Sequence, residues 1–364
     1  MEFALSEDQK LMQESIEKTL ARVSPLARVR KAADAADGFA RDVFSALVEL
    51  GLTGVLIPEE FGGLGLSLLD AALASEMLGR HVAPVPFAGT AVMAPLAVLG
   101  AGSTSQKSQW LPKLAKGETV AGVAVSEHAS GAREKAQVSY RAGRLSGRTL
   151  FVVDFSGADI FLVADKFANL HLVDSRAKGL EKTALATIDA TRIVGELAFD
   201  NVEAEPLAQD HSAATVERMI DAGRVVLAAD TLGAGERMLE MAVAYSKERK
   251  QFGRIIGSFQ AVKHMCAEMA AGLEPCRALV WYAAHAFDSF PAEARLMAAH
   301  AKAHTSEIGR HVARTATEVH GGMGFTDLLG LHYWFKRIGF NRQVLGSPER
   351  ARHDAALAHG WVGN

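Results

Sequence analysis

Apolar side chains recur every three or four residues in the first third of the chain, from Ser6 to about Lys116, and this spacing predicts helices. The first predicted helix begins at Ser6, which is followed three residues later by Gln9, an arrangement typical of a capping box. Its apolar face is formed by Leu11, Met12, Ile16, Leu20 and Val23. The pattern predicts an N-terminal helical domain over residues 1–118.

The pattern changes between about Val120 and Leu207, where short runs of β-branched residues alternate with turn residues. Such runs are typical of strands, and Ala142 followed by Gly143 suits the tight turn of a hairpin. We therefore expect a small antiparallel, β-barrel-like domain over residues 119–208.

From about Ser212 onward the apolar pattern is helical again, in three long alanine-rich segments around residues 213–246, 258–287 and 291–320. Long antiparallel helices with short connections favour a four-helix bundle, so residues 209–364 are predicted to form a C-terminal helical bundle. Together the three parts predict an α+β multidomain fold that is mainly α. Because the long helices carry more apolar face than one bundle needs, we also expect subunits to associate through this domain.

Composition narrows the classes of function. The 364 residues include 49% hydrophobic side chains and carry a formal charge of -3, which gives no long-range attraction for nucleic acid or an anionic membrane. The longest apolar stretch, residues 88–102, contains Pro95 and is shorter than the ~20 residues of a membrane-spanning helix. We expect no membrane insertion, no metal site and, without a secretion signal, a cytoplasmic location. The two cysteines, Cys266 and Cys276, are predicted to be buried free thiols.

Three short stretches carry the candidate chemistry: PEEFGGLG at residues 58–65, YSKERKQFGRIIGSFQAVKHMCAEM at 245–269 and EVHGGMGF at 318–325. Arg249 offers a planar guanidinium suited to bidentate binding of phosphate oxygens, and Gly253 lets the backbone approach a ligand closely. Gly321 and Gly322 offer backbone N–H groups without a Cβ in the way. These residues outline a diphosphate site. The alternative is that Arg249 caps a helix end and the glycines only form a turn.

The order and spacing of these stretches resemble the acyl-CoA dehydrogenase family across nearly the whole chain. The resemblance implies FAD as the cofactor, an acyl-CoA thioester as the substrate and electron-transfer flavoprotein as the electron acceptor. It also implies that residues of the C-terminal domain bind the ADP half of a neighbouring subunit's FAD, namely Arg249, Phe252, Gly253, Gln260, Glu318, Gly321 and Gly322. It further assigns Ser126 and Phe151 to the flavin ring and Arg224 to the substrate.

The family's catalytic glutamate is missing from both of its usual places. Most members carry it directly before a glycine that matches Gly346, where this chain has Leu345. A minority carry it directly before an arginine that matches Arg224, where this chain has Gly223. The family's reaction removes an α-proton while a hydride passes to the flavin, so a positioned base is indispensable.

Three other acids are weak candidates for the base: Asp221, Asp230 and Glu349. With about 100° per residue, Asp221 points about 200° away from Gly223 on the helix, and Asp230 lies ~10 Å further along its axis. Each of the three is expected to be an ordinary surface or capping carboxylate.

Other positions also depart from the family. Lys336 replaces an arginine, Phe151 replaces a flavin-stacking tryptophan, and SEHASGARE at residues 126–134 replaces the usual flavin-contacting segment. Glu318 stands where a glutamine contacts the pyrophosphate. Since a carboxylate repels a diphosphate, Glu318 either turns away, pairs with a base such as Arg337 or weakens FAD binding.

The retained residues serve a neighbour's flavin, and the missing ones serve this chain's own site. This asymmetry resembles the subunit without a catalytic base in heteromeric acyl-CoA dehydrogenases of actinobacteria, which are α2β2 heterotetramers that often act on steroid side-chain CoA thioesters. One alternative is a self-sufficient homotetramer with an atypical base. Another is a relative that is not a dehydrogenase, either flavin monooxygenase-like or a binding protein associated with DNA, although the acidic net charge counts against DNA.

Overall fold

The computed structural model describes residues 4–35, 38–131, 133, 135–208 and 212–363. Within them, helices come first, as the apolar spacing predicts. They are α1 (Glu7–Val23), α2 (Leu26–Ala33), α3 (Arg41–Glu49), α4 (Leu68–Arg80), α5 (Ala94–Ala101) and α6 (Thr104–Ala115). The predicted capping box is confirmed, because the Gln9 N–H donates to the Ser6 hydroxyl and the Ser6 N–H donates to the Gln9 side chain, both at 3.1 Å. A π-helical segment, Ala88–Met93, runs directly into α5.

The middle of the chain forms two four-stranded sheets with a short helix. The elements are β1 (Ala121–Ala124), α7 (Ser126–Ser130), β2 (Gln137–Arg141), β3 (Arg144–Val152), β4 (Ile160–Ala164), β5 (Leu170–Asp174), β6 (Leu180–Ala184), β7 (Gly195–Glu203) and β8 (Glu205–Pro206). Their orders are β1-β4-β5-β8 and β2-β3-β7-β6. The predicted hairpin is confirmed, with φ of 50° at Ala142 and 82° at Gly143.

The β-barrel-like expectation needs correction. The described strands form two separate sheets and no closed barrel, and β1 pairs in parallel with β4 while the other named pairs in these two sheets are antiparallel. Alternating apolar residues identify strands, but they do not say which strands pair. Whether the sheet domain ends at residue 208 stays a prediction, because residues 209–211 lie outside the described part of the chain.

The last part of the chain is helical, with a small hairpin between its first two helices. Its elements are α8 (Ser212–Glu248), β9 (Lys250–Gln251), β10 (Arg254–Ile255), α9 (Gln260–Ser289), α10 (Pro291–His320), α11 (Leu331–Gln343) and α12 (Pro348–Ala358). The three long helices lie where the apolar pattern predicts them, to within two residues at each end. The fold is mainly helical, with the sheet region between two helical regions, as expected.

Two glycines bring α4 and α8 into backbone contact. A Cβ on Gly79 would lie 1.9 Å from the carbonyl oxygen of Asp230, and a Cβ on Gly233 would lie 1.9 Å from that of Glu76. No side chain fits at either position, so the N-terminal helices are seated directly on the helix that carries Gly223.

Three further observations bear on the chemistry. Both cysteines are free, and Cys276 is buried as predicted, whereas Cys266 is only partly buried, which corrects the expectation for that thiol. None of the helices within the described residues is long and apolar enough to cross a membrane. The same residues contain no cluster of histidine, cysteine and acidic side chains that could hold a metal ion.

Candidate functional site

The two places where the family carries its base meet at one point in space. Gly223 lies in the first third of α8, and Leu345 follows the end of α11. A Cβ on Gly223 would lie 2.5 Å from Leu345 Cδ1 and 3.0 Å from Met93 Sδ. Leu345 is 1% exposed and Met93 is fully buried. The space beside Gly223 is therefore filled by apolar side chains, and no carboxylate occupies either place.

Arg224 holds the backbone of Leu345 in place. Its Nε donates to the Leu345 carbonyl oxygen at 2.9 Å, and its Nη2 donates to Asp354 Oδ2 at 2.6 Å. Leu345 has φ of 57°, a left-handed conformation that is uncommon for a side chain of this size. Since Arg224 is 1% exposed and bound within the protein, it has a structural role. Its assignment to substrate binding stays a prediction.

Asp221 lies one turn before Arg224 and faces a polar cavity. Arg224, Arg295, Arg350 and Asp354 also line this cavity. Asp221 is 6% exposed, and burial raises the pKa of its carboxyl group to about 6. No hydrogen bond to its side chain is formed by the described residues. The expectation of a surface carboxylate is therefore wrong for Asp221.

Asp230 is buried and committed to an internal network, which also corrects the expectation of a surface carboxylate. Its oxygens accept hydrogen bonds from Arg192 at 2.6 Å, from Arg337 at 3.2 Å and from Asn341 at 2.6 Å. Glu349, in contrast, is an exposed residue in the first turn of α12 that pairs with Arg342 at 3.0 Å. Neither is a free base beside Leu345.

Arg337 is not the partner of Glu318. Arg337 is fully buried and binds Asp189 at 2.8 Å in addition to Asp230, whereas Glu318 is exposed in the last turn of α10. The hypothesis that these two residues pair is therefore wrong. Glu318 either turns away from a bound diphosphate or weakens its binding. Lys336, next to Arg337, is partly exposed.

A cleft separates Phe151 from Leu345, and we call it the ring cleft. Its other lining residues include Ser126 and Arg133. The Ser126 hydroxyl donates to the Phe151 carbonyl oxygen at 2.8 Å, so its proton is already used within the protein. Phe151 has φ of 54° and is 36% exposed, with the Arg133 guanidinium 5.7 Å from its ring centroid. Two residues of the 126–134 segment, at positions 132 and 134, lie outside the described residues.

A second surface is formed after the ends of α8 and α10, and we call it the diphosphate surface. It comprises Arg249, Phe252, Gly253, Gly321 and Gly322, all of them exposed. Phe252 and Gly253 form the turn between β9 and β10 with φ of 52° and 76°, and a Cβ on Gly321 or Gly322 would meet nothing within 4 Å. Arg249 forms no ion pair with any described residue. This surface offers a guanidinium and open backbone to an anion approaching from outside, and Gln260 is exposed nearby at the start of α9.

Several residues of the site give no signal in the sequence. Met93 belongs to an apolar run and is recognisable only through its contact with Gly223. Asp354 looks like any helical acid, and its pairing with Arg224 joins two distant parts of the chain. A tertiary contact of this kind has no local pattern that could reveal it.

Comparison with known proteins identifies the family. Residues 6–118 match the model of the acyl-CoA dehydrogenase N-terminal domain, and residues 213–358 match that of the C-terminal domain. The acyl-CoA dehydrogenase IpdE2 of Mycobacterium tuberculosis (strain ATCC 25618 / H37Rv) is 33% identical over 344 residues, which cover 94% of each chain. The chain belongs to the acyl-CoA dehydrogenase family. Acyl-CoA dehydrogenases are oxidoreductases that act on CH–CH bonds, and the family resemblance of the three motifs is thereby confirmed.

Two solved structures are similar to this chain over nearly its full length. A variant of the Tcur3481-Tcur3483 steroid ACAD has a TM-score of 0.89 at 29% identity and covers 98% of both chains. The ChsE4-ChsE5 complex from Mycobacterium tuberculosis has a TM-score of 0.90 at 25% identity and covers 100% of both. The fold prediction therefore agrees with experimentally solved relatives.

Proposed function

We propose that this acyl-CoA dehydrogenase is the subunit without a catalytic base in a heteromeric, FAD-dependent α2β2 assembly that introduces an α,β-double bond into an acyl-CoA thioester. The observation that carries the proposal is the contact between Gly223 and Leu345. Both places for the base converge there, and apolar side chains fill the space. A second, homologous subunit must then supply the base.

The rate of the reaction depends on a base at this point. The α-proton must pass to a group within hydrogen-bond reach, and general-base catalysis contributes ~10² to 10⁴-fold to the rate. Of the three alternative acids, Asp230 is committed to buried donors and Glu349 is exposed. Leu345 and Met93 can exclude water beside Gly223, but neither can accept a proton.

The diphosphate surface fits FAD. The Arg249 guanidinium can bind phosphate oxygens in a bidentate manner, and the open backbone at Gly321 and Gly322 can donate N–H groups to the same diphosphate. When bound, FAD supplies the hydride acceptor. The ring cleft offers less to a flavin of this chain's own, because the Ser126 hydroxyl is bound to Phe151. Since the exposed surface fits better than the cleft, the supported arrangement is FAD at an interface with the partner.

The assembly and the substrate class are supported by the relatives. The name of one similar structure pairs two gene products and describes a steroid ACAD, and that of another describes a complex of two chains. We therefore propose a steroid side-chain CoA thioester as the substrate and a homologous acyl-CoA dehydrogenase chain as the partner. Electron-transfer flavoprotein is the proposed acceptor.

The test compares the chain alone with the chain co-expressed with a homologous partner. The flavin absorbance and the rate of dye reduction with acyl-CoA are measured for both preparations. We expect no appreciable acyl-CoA oxidation by the chain alone, and a flavin-loaded, active complex with the partner. Robust dye reduction by the partner-free chain would exclude the proposal.

One observation favours a self-sufficient enzyme as the second candidate. Asp221 is a buried carboxylate without a hydrogen-bond donor among the described residues, and its pKa of about 6 suits a base near neutral pH. If the chain alone is active, Asp221→Asn should abolish turnover while Glu349→Gln should not. If both variants stay active, Asp221 is not the base.

A further inference from the structure

The two halves of the diphosphate surface come from different helices. Arg249 directly follows α8, and Gly321 directly follows α10. Both residues are exposed, so their own packing does not hold the two helix ends at a fixed distance from each other. His320, the last residue of α10, lies beneath this surface and is only 3% exposed.

His320 contacts both helices. Its Nδ1 donates to the Ala316 carbonyl oxygen on its own helix at 2.7 Å. The ring also packs against Tyr245 of α8, with 4.7 Å between centroids and 31° between planes. Tyr245 lies one turn before Arg249, whose N–H donates to the Tyr245 carbonyl oxygen at 2.9 Å. A continuous set of contacts therefore links His320 to Arg249.

We propose that His320 is a positioning residue that, together with Tyr245, sets the spacing between Arg249 and the Gly321–Gly322 turn. The inference rests on the proposed function, because it takes this surface to bind the FAD diphosphate. A guanidinium on one helix and N–H groups on another bind a diphosphate together only if their separation is held to within about 0.5 Å. The contact between the buried His320 imidazole and Tyr245 holds this separation.

Three variants separate the ring contact from the hydrogen bond to Ala316. His320→Leu removes both, Tyr245→Leu removes the ring contact, and His320→Phe keeps the ring contact alone. Hydrogen exchange of the amides at 321–328 is measured in the full chain without flavin, and the dissociation constant of FAD is measured in the complex. An aromatic pair is worth up to about 1.5 kcal/mol, so the two leucine variants should raise both the exchange rate and the dissociation constant by up to about tenfold. His320→Phe should recover part of both losses.

Tyr140→Leu is the matched control. Tyr140 packs against the buried His171 at 4.2 Å in the sheet region, so the variant loses a similar ring contact away from α8 and α10. It should change neither measurement. Unchanged exchange in Tyr245→Leu and His320→Leu would overturn the inference, and so would faster exchange with unchanged FAD affinity. A wild-type complex that binds no FAD would overturn the proposed function instead, and the exchange rates, measured without flavin, would still show whether His320 joins the helix ends.

Discussion

Arg224 and Arg249 are both associated with α8, yet their surroundings are opposite. Arg224 is buried and binds Asp354 and the Leu345 carbonyl oxygen, whereas Arg249 is exposed and pairs with no described carboxylate. A guanidinium whose donors are used inside the protein stabilises the fold, and one whose donors point outward can bind a ligand. The difference supports the proposal that this chain binds its ligand at the diphosphate surface and not around Leu345.

The same contrast holds for the space around the two regions. A Cβ on Gly223 would lie 2.5 Å from Leu345 Cδ1 and 3.0 Å from Met93 Sδ, whereas a Cβ on Gly321 or Gly322 would meet no described atom within 4 Å other than its chain neighbours. A protein that uses its own interior site needs room there. A protein that completes a partner's site needs room on its surface. The described geometry supports the proposal that this chain completes a partner's site.

Restoring the base tests this contrast with the largest expected effect. Leu345→Glu places a carboxylate beside Gly223, so when a flavin occupies this chain's own ring cleft the variant should raise dye reduction with acyl-CoA by ~10² to 10⁴-fold over the unmodified chain. The partner in this assay carries an amide in place of its own base. No gain with a flavin bound in this chain's own ring cleft would contradict the idea that the missing carboxylate limits the reaction, whereas no gain with that cleft empty would not.

The control for this experiment follows from the contact itself. Gly223→Glu alone places its Cβ 2.5 Å from Leu345 Cδ1, and such overpacking typically costs about 1–3 kcal/mol. Adding Leu345→Gly removes the collision, and glycine tolerates the positive φ at this position. We expect the double variant to have a larger free energy of unfolding than Gly223→Glu. The reverse order would show that the two side chains do not compete for the same space.

Replacement of Arg249 tests the diphosphate surface. Arg249→Lys keeps the charge but loses the bidentate geometry, and because hydrogen bonds to charged groups are worth about 1.5–3 kcal/mol, FAD affinity in the complex should fall by about 10- to 100-fold. The measurement is a fluorescence titration with FAD. Arg310→Lys is the control, since Arg310 is exposed on α10 and pairs with Glu307 at 3.2 Å. Equal affinity in both variants would remove Arg249 from the site.

The sequence predicted the secondary-structure elements far better than the contacts between them. The long helices, the hairpin turn at Ala142 and Gly143 and the capping box at Ser6 all depend on neighbours within a few residues, and periodicity and turn chemistry report such neighbours directly. The parallel pairing of β1 with β4 depends on residues far apart along the chain. No local pattern encodes it, and the barrel-like expectation failed there.

In the candidate site, too, local features were predictable and tertiary contacts were not. The exposure of Arg249 and the open turn at Gly321 agree with what their motifs suggested. Helical geometry placed Asp230 ~10 Å along the helix axis from Gly223, but it could not show that buried donors from α11 use its oxygens. It also could not show that burial of Asp221 raises the pKa of its carboxyl group to about 6. Burial is a property of the packed fold, so sequence spacing alone could not supply it.

Asp221→Asn tests the interior region through the pH dependence of the free energy of unfolding. Burial raises the folded pKa of Asp221 to about 6, above the ordinary aspartate value of 3.8, so the ionised form is disfavoured in the folded state. Wild-type stability should therefore decline, relative to the asparagine variant, as pH rises from about 4 to 6, and the difference should stay constant above that. A difference of about 1–3 kcal/mol is expected at pH 8, measured by chemical denaturation. A variant less stable than wild type at pH 8 would show that the carboxylate has a stabilising partner.

Replacement of Glu318 should have the smallest effect on FAD affinity. It tests whether the diphosphate surface is fully adapted to a diphosphate. Glu318 is exposed in the last turn of α10, where the negative end of the helix dipole disfavours a carboxylate by about 0.3–1 kcal/mol, and a nearby diphosphate adds repulsion. Glu318→Gln should therefore strengthen FAD binding in the complex by about two- to fivefold at low salt, with a smaller gain at high salt because exposed charges are screened. Glu274→Gln on α9, where the Glu274 side chain is 78% exposed, is the control and should leave FAD affinity unchanged. If Glu318→Gln behaves like this control at low salt, the carboxylate turns away from the diphosphate, and the outer surface carries no electrostatic penalty.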